Sequence, residues 1–194
     1  MQICRIVGID PSFTRTGVCI LDNCQTDTPH PTFYSITSSK KYSVFERQKQ
    51  IVNNIKNLLH VGDVVIFEDF AISARFSPSG RFCERIELCG MLKLISPCIT
   101  KLPWLVIAPT MLKSFMTNKS TAHKIEVINA VKSQDIIPVK QDINDDEADA
   151  FVLALYTYNI FYNQNFNTKK QDKFLNYSSN ATGCKQIRTL ISIL

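Results

Sequence analysis

Several acidic side chains of this chain stand at the ends of apolar segments rather than within polar ones. Asp10 closes the run ICRIVGID, in which Ile3, Ile6, Val7 and Ile9 form an apolar strand. Pro11 forbids a further ladder bond, so this carboxylate is held at a rigid strand end. Glu68 closes the apolar run DVVIFE. Asp146 and Asp149, three apart in NDDEADAFVLALY, share one helical face directly before an apolar stretch. A carboxylate among apolar neighbours must be paired, protonated or bound to a cation, because its desolvation is otherwise costly. Oxygen ligands with no Cys or His cluster beside them suit a hard cation, Mg²⁺ or Mn²⁺, rather than zinc. Two such ions can activate a water and stabilise the leaving oxygen in phosphodiester hydrolysis. Plainer roles compete with this chemistry. Asp10 also fits a turn aspartate before Pro11-Ser12, Glu68 and Asp69 fit turn residues, and Asn144 or Asp145 fits the cap of a helix with an acidic first turn. Asp149, already inside the apolar part, is what the plainer roles leave over.

The elements that must position these acids follow from hydrophobic periodicity. Strands are expected at Ile3–Asp10, Thr16–Leu21 and Thr32–Ile36, the first two joined as a hairpin, and Gly8 lets another element pack close to the first strand. A helix is expected over Ser43–His60 with Ser43 as N-cap, then a central buried strand over Asp63–Asp69. Side chains alternate along a strand, so Glu68 and Asp69 face opposite ways. Glu68 shares the parity of Val64 and Ile66 and is taken as the partner of Asp10, although parity alone does not say which face carries Asp10. A basic and aromatic loop covers Phe70 to Arg81, and a helix follows over Phe82–Ile95. Gly90 in mid-helix points to a close helix contact. A strand over Trp104–Ala108, a helix begun by Pro109, a helix over Thr121–Lys132 and an apolar helix over Asp146–Tyr162 complete the order. The fold class is α/β, a mixed sheet with helices on both faces. Residues 1–162 form one domain, and the Asn-, Gln-, Lys- and Ser-rich residues 163–194 form a polar tail.

The 194-residue chain is 45% hydrophobic and 20% charged, ordinary for a globular domain, and its net charge of +5 permits a polyanionic partner without requiring one. Seven scattered cysteines without a Cys-x-x-Cys pair read as reduced thiols. No apolar stretch approaches a membrane span and no signal-peptide core is seen, so a cytoplasmic location, in a bacterial cell or a phage-infected host, is expected. The Asn-, Lys- and Ile-rich composition is that of an AT-rich genome such as a phage, plasmid or low-GC bacterium.

The segments IVGIDPSFTRTG, VVIFED, RIELCGMLKLI, APTMLKSFMTNKSTAHK and DDEADAFVLAL occur in an order that resembles the RuvC family of Holliday-junction resolvases, within the RNase H-like superfamily of nucleases. The resemblance spans roughly residues 3 to 160. It implies an RNase H-like five-stranded sheet, a homodimer, cleavage of four-way and related branched DNA, and two Mg²⁺ ions per site, with Mn²⁺ able to substitute. It implies Asp10, Glu68, Asp146 and Asp149 as ligands, with Asp145 the alternative to Asp146. Lys113 and Lys124 match the lysines near the scissile phosphate, and Lys119 in the same polar turn competes with them. An aromatic residue after the acidic strand, which stacks on an unpaired base, corresponds to Phe70, displaced by one position, or to Phe76. Arg75 and Arg81 add positive charge to that loop.

Two other classes of function compete. A nucleotide-binding ATPase of the actin and sugar-kinase type also places Gly-Ile-Asp after its first strand, but it needs a second glycine-rich phosphate loop, and this chain has six glycines in all and no such loop. A junction-binding module that has lost catalysis would keep the fold, but all four acids are present. The face of the Phe82–Ile95 helix that includes Ile86, Cys89, Gly90 and Lys93 is the expected dimer contact.

Overall fold

In the computed structural model, the structure describes residues 5–22, 24, 28–68, 80–138 and 141–162; the side chains of Gly80 and Arg81 are outside that description. The expected tail and residues 69–79, which hold most of the segment expected as a loop from Phe70 to Arg81, lie outside the described residues.

Strands β1 (Ile6–Asp10), β2 (Arg15–Asp22) and β3 (His30–Thr37) form an antiparallel meander. Helix α1 (Val44–Leu58) crosses over to β4 (Val64–Glu68), which pairs parallel with β1. Helix α2 (Gly80–Thr100) then leads to β5 (Leu105–Ile107), parallel to β4. The sheet order is β3-β2-β1-β4-β5, and α3 (Pro109–Thr117), α4 (Lys124–Lys132) and α5 (Asp145–Tyr162) follow. This is the expected mixed sheet with helices on both faces.

The two faces follow strand parity. Val7, Ile9, Val18, Ile20, Val65 and Phe67 pack with α1 and with Leu88 and Leu92 of α2. Ile6, Cys19, Leu21, Val64, Ile66, Leu105 and Ile107 pack against α3, α4 and α5. Helix α5 is nearly all buried, which is why its sequence reads as apolar on every side. It lies directly on bare backbone at two glycines. A Cβ on Gly8 would collide with the Ala150 carbonyl oxygen, and one on Gly17 with that of Asp146. The close approach expected at Gly8 is therefore made by α5.

Element boundaries differ from the sequence expectation in four helices; α1 ends at Leu58 rather than His60. Helix α2 starts at Gly80 rather than Phe82 and runs past Ser96-Pro97 to Thr100, not stopping at Ile95. A proline inside a helix removes one donor, yet this helix runs on to Thr100 and is ended by Lys101, whose φ of 63° is left-handed. Helix α4 starts at Lys124 instead of Thr121, because the backbone N–H of His123 donates to Glu126 at 2.9 Å and fixes the helix entry there. Helix α5 begins at Asp145, one residue before Asp146. Asn144 Oδ1 accepts from the Glu147 N–H at 3.0 Å and the Glu147 side chain accepts from the Asn144 N–H at 3.1 Å, a reciprocal cap. Ser43 caps α1 as expected, in the same reciprocal manner with Glu46.

Candidate active site

Asp10 and Glu68 are neighbours across the β1–β4 pair. The register Ile6↔Val64, Gly8↔Ile66 and Ile9↔Phe67 sets each acid one residue beyond the last pair, on the α5 face with Gly8 and Ile66. The parity that favours Glu68 over Asp69 thus corresponds to a shared face; Asp69 lies outside the described residues. On the other side of β1, Asp10 is paired with Gly17. Because Gly17 has no side chain, the first turn of α5 rests on the strand there. Asp146 and Asp149 are brought down beside Asp10 by that contact, near enough for their charges to act on it or be acted on by it.

Burial and mutual repulsion make Asp10, Glu68 and Asp149 reluctant to ionise. Asp10 is 6% exposed, and desolvation, offset by Arg85 and increased by Asp146, pushes its carboxyl up to about 6. Desolvation and then the charges of Asp10 and Asp149 push Glu68 up to about 8. Desolvation and the charge of Asp10 push Asp149 up to about 7, against the opposing pull of Lys124 and Lys113. Burial likewise pushes the nearby Cys89 thiol up to about 12.

Three cationic side chains already engage these acids. Arg85 of α2 donates through Nη2 to Asp10 Oδ1 at 3.1 Å and to Glu68 Oε2 at 3.3 Å. Arg15 of β2 grips Asp146 through Nε and Asp145 through Nη2. Lys124 Nζ donates to Asp145 Oδ2 at 2.7 Å, holding the Asp145 carboxyl below its usual range and raising its own ammonium. Asp145 is thus committed to Arg15 and Lys124.

Of the residues expected from sequence, the structure brings together Asp10, Glu68, Asp146, Asp149, Lys113 and Lys124. Lys119 stands apart, exposed and paired with Glu126 at 2.6 Å. Phe70, Arg75 and Phe76 lie outside the described residues, as does the side chain of Arg81. Sequence reading missed Arg85 and Arg15. Arg85 does carry a signal, being an arginine one turn before the buried Leu88 and Cys89, on the helix that follows the acidic strand.

Among the described residues, no three His, Cys, Asp or Glu side chains already form a cage around one point. In kind the donor set fits divalent metal. It is all oxygen, Asp10 is buried, and Asp10, Glu68 and Asp149 are costly to ionise without a cation. Ligation requires Arg85, and on the α5 side Arg15, to release carboxylate oxygens that they now hold.

The fold is that of the RuvC-type, RNase H-like resolvases. No family sequence model matches the chain and no curated protein is similar to it in sequence, so the likeness is carried by structure. The chain is similar to Thermus thermophilus RuvC in complex with a Holliday junction substrate, with a TM-score of 0.65 and 20% identity over 83% of this chain and 95% of that one. A second T. thermophilus RuvC structure gives 0.64 and 19%, over 82% and 97%. The yeast mitochondrial Holliday junction resolvase Ydc2 gives 0.51 and 15%, over 95% and 86%. No helix among the described residues is long and apolar enough to cross a membrane.

Proposed function

We propose that this chain is a divalent-metal-dependent endonuclease that cuts Holliday junctions and related branched DNA by phosphodiester hydrolysis. The observation that carries the reading is the convergence of Asp10, Glu68, Asp146 and Asp149 from two adjacent strands and a helix laid on bare backbone, within a fold shared with junction resolvases. These four carboxylates would hold Mg²⁺, or Mn²⁺ in its place, with two ions per site. Bound there, the ions supply an activated water and stabilise the leaving oxygen. The chain's own residues do the rest. The acids bring their oxygens together where cations would be held, and their raised values favour ionisation only with a cation present. Lys113 and Lys124, whose charges reach Asp149, are placed to offset charge building on the cleaved phosphate. Arg85, which bonds Asp10 and Glu68, would exchange these carboxylates for the substrate phosphate when cations are held there.

Symmetric cutting of a four-way junction needs two equivalent sites, hence a homodimer. The face expected from sequence is corrected in two members: Cys89 is buried in its own protomer and Lys93 lies over the Trp104 ring, 5.0 Å from its centroid. Ile86 is half-exposed, a Cβ on Gly90 would meet nothing within 4 Å among the described residues, and Leu94 is 75% exposed, so the row at i, i+4 and i+8 suits a partner protomer.

A second reading, a junction-binding module without catalysis, is favoured by one observation: guanidinium groups already satisfy the acids. A nuclease assay with Mg²⁺ on a synthetic four-way junction, a flap and a plain duplex separates the two. Paired cuts in the junction, lost in Asp10→Asn and Asp146→Asn proteins that still bind it, support the nuclease. Tight junction binding with no cleavage in Mg²⁺ or Mn²⁺ supports the module.

A further inference from the structure

Beside the acidic cluster, on the side away from α5, lies an open cleft of about 590 Å³ lined by Ser12, Phe13, Thr14, Lys40, Arg47, Glu84 and Arg85. It is continuous with the candidate active site, since Arg85 lines it and bonds Asp10 and Glu68, while Ser12 follows Asp10 by two residues. Arg47 is fixed in its wall. Its guanidinium lies 3.9 Å from the centroid of the Phe13 ring, and it donates to the Phe13 carbonyl and to Ser38 Oγ, each at 3.0 Å. An arginine so held presents its remaining N–H donors without having to order itself.

The rim of this cleft is the segment KKYSVFERQK, from Lys40 to Lys49. Lys40, Lys41 and Lys49 are exposed, and so are the rings of Tyr42 and Phe45, the latter 66% exposed. Phe45 and Lys49 are one turn apart on α1 and share a face. The acidic members are Glu46, engaged in capping α1 through Ser43, and Glu84 on the cleft wall, so positive charge prevails. Exposed rings interleaved with cations, over a cleft that opens from a cluster able to cut phosphodiesters, are complementary to a nucleic-acid strand: charge for its phosphates, ring faces for its bases.

We infer that Lys40–Arg47 and the cleft beneath it form a second DNA-contact surface, which takes the strand leaving the acidic cluster. Lys40, Lys41 and Arg47 bind its phosphates, and Tyr42 and Phe45 stack on bases left unpaired at the branch. This surface rests on the nuclease reading and extends it to the path of the DNA.

The test uses the full chain and a synthetic four-way junction carrying 2-aminopurine at the branch. Binding is measured by fluorescence anisotropy in EDTA across a range of KCl, and cleavage separately in Mg²⁺. The side chains changed are exposed, and circular dichroism confirms the fold of each variant. Lys40→Ala with Lys41→Ala is expected to weaken junction binding about 10-fold and to lower the salt slope by about 2. Tyr42→Ala with Phe45→Ala is expected to weaken binding by about 5-fold or more, leave the salt slope unchanged, and abolish the stacking-dependent quenching of 2-aminopurine. If wild-type protein cuts the junction while both double variants bind it with unchanged affinity, slope and quenching, the surface is refuted and the nuclease reading stands. If wild-type protein neither prefers nor cuts the junction, the nuclease reading falls and takes the surface with it. If the variants lose self-association in sedimentation, the segment contacts a second copy instead and the inference is overturned.

Discussion

Gly17 of β2 and Asp146 of α5 meet main chain to main chain: the carbonyl oxygen of Asp146 occupies the space that any side chain at position 17 would need. Gly17 is also the residue paired with Asp10, so the strand carrying one acid and the helix carrying two others are spaced by backbone alone. Gly17→Ala is expected to lift or shift α5. The change should lower the melting temperature by several degrees and weaken divalent-ion binding, and Gly8→Ala, which would strike Ala150 and lie 2.9 Å from the Ala154 nitrogen, should behave likewise. Thermal denaturation followed by circular dichroism, with and without Mg²⁺, measures both effects. A Gly17→Ala protein with native stability and metal affinity would contradict this packing.

The raised acids give the metal-free protein a defined pH response. Asp10, Glu68 and Asp149 have folded values of about 6, 8 and 7, above the ordinary 3.8 to 4.5 of exposed carboxyls. A group whose folded pKa is raised holds more protons when folded, so its stabilising contribution is full below about pH 4 and is lost as pH rises through 6 to 8. In EDTA, the stability contributed by these three groups should decline between pH 5 and 8.5. Added Mg²⁺ or Mn²⁺ should oppose the decline, with the largest rise in melting temperature at the alkaline end. A metal-induced shift that is equal at pH 5.5 and 8.5 would show that these carboxylates are not the ligands.

Arg85 holds the oxygens that an incoming cation needs. Arg85→Ala should therefore tighten Mn²⁺ binding in calorimetric titration while lowering the stability of the metal-free protein at pH 8, where the acids lose their counter-charge. A weaker Mn²⁺ affinity in this variant would mean that the guanidinium organises the site rather than competing for it.

Lys113 and Lys124 should differ from Lys119. The first two act on Asp149, whereas Lys119 is paired with Glu126. Lys113→Ala and Lys124→Ala are expected to lower single-turnover cleavage by about 10²-fold with little change in junction affinity. Lys119→Ala should leave the rate nearly unchanged. Single-turnover kinetics alongside binding titrations on one junction distinguish these outcomes, and a Lys119 effect larger than that of Lys113 would displace the assignment.

Gly90→Leu should leave the protomer folded, because nothing among the described residues stands within 4 Å of a Cβ there, yet disrupt a dimer built on this row of α2. Sedimentation at micromolar concentration should then show a folded monomer that nicks junctions singly and poorly. An undiminished dimer would move the interface elsewhere.

Strand ends and caps were readable in the sequence because they are local. Pro11 after Asp10, the continuous apolar run before Glu68, and Ser43 three residues before Glu46 each fix a nearby backbone conformation. The limits of α2 were not readable, since Ser96-Pro97 resembles a stop, and only the left-handed turn at Lys101 ends the helix. Nor were the counter-ions. Arg15 meets Asp146 from 131 positions away in sequence, a pairing set by α5 lying across β2 and by no motif. Gly90 suggests close packing, but among the described residues nothing lies within 4 Å of where its Cβ would be.

The bare contact of α5 with β1 and β2 also bears on how such a site tolerates sequence divergence. Where two elements are spaced by side chains, each change of side-chain volume in the core alters their separation. Where backbone rests on backbone, the spacing is a constant of the polypeptide, and neighbouring core residues can drift in size without carrying the acids apart. The acids are in this way insulated from the turnover of the hydrophobic core around them. The separation of the acids then depends on two positions that must stay without a side chain, Gly8 and Gly17, rather than on the volumes of the residues around them.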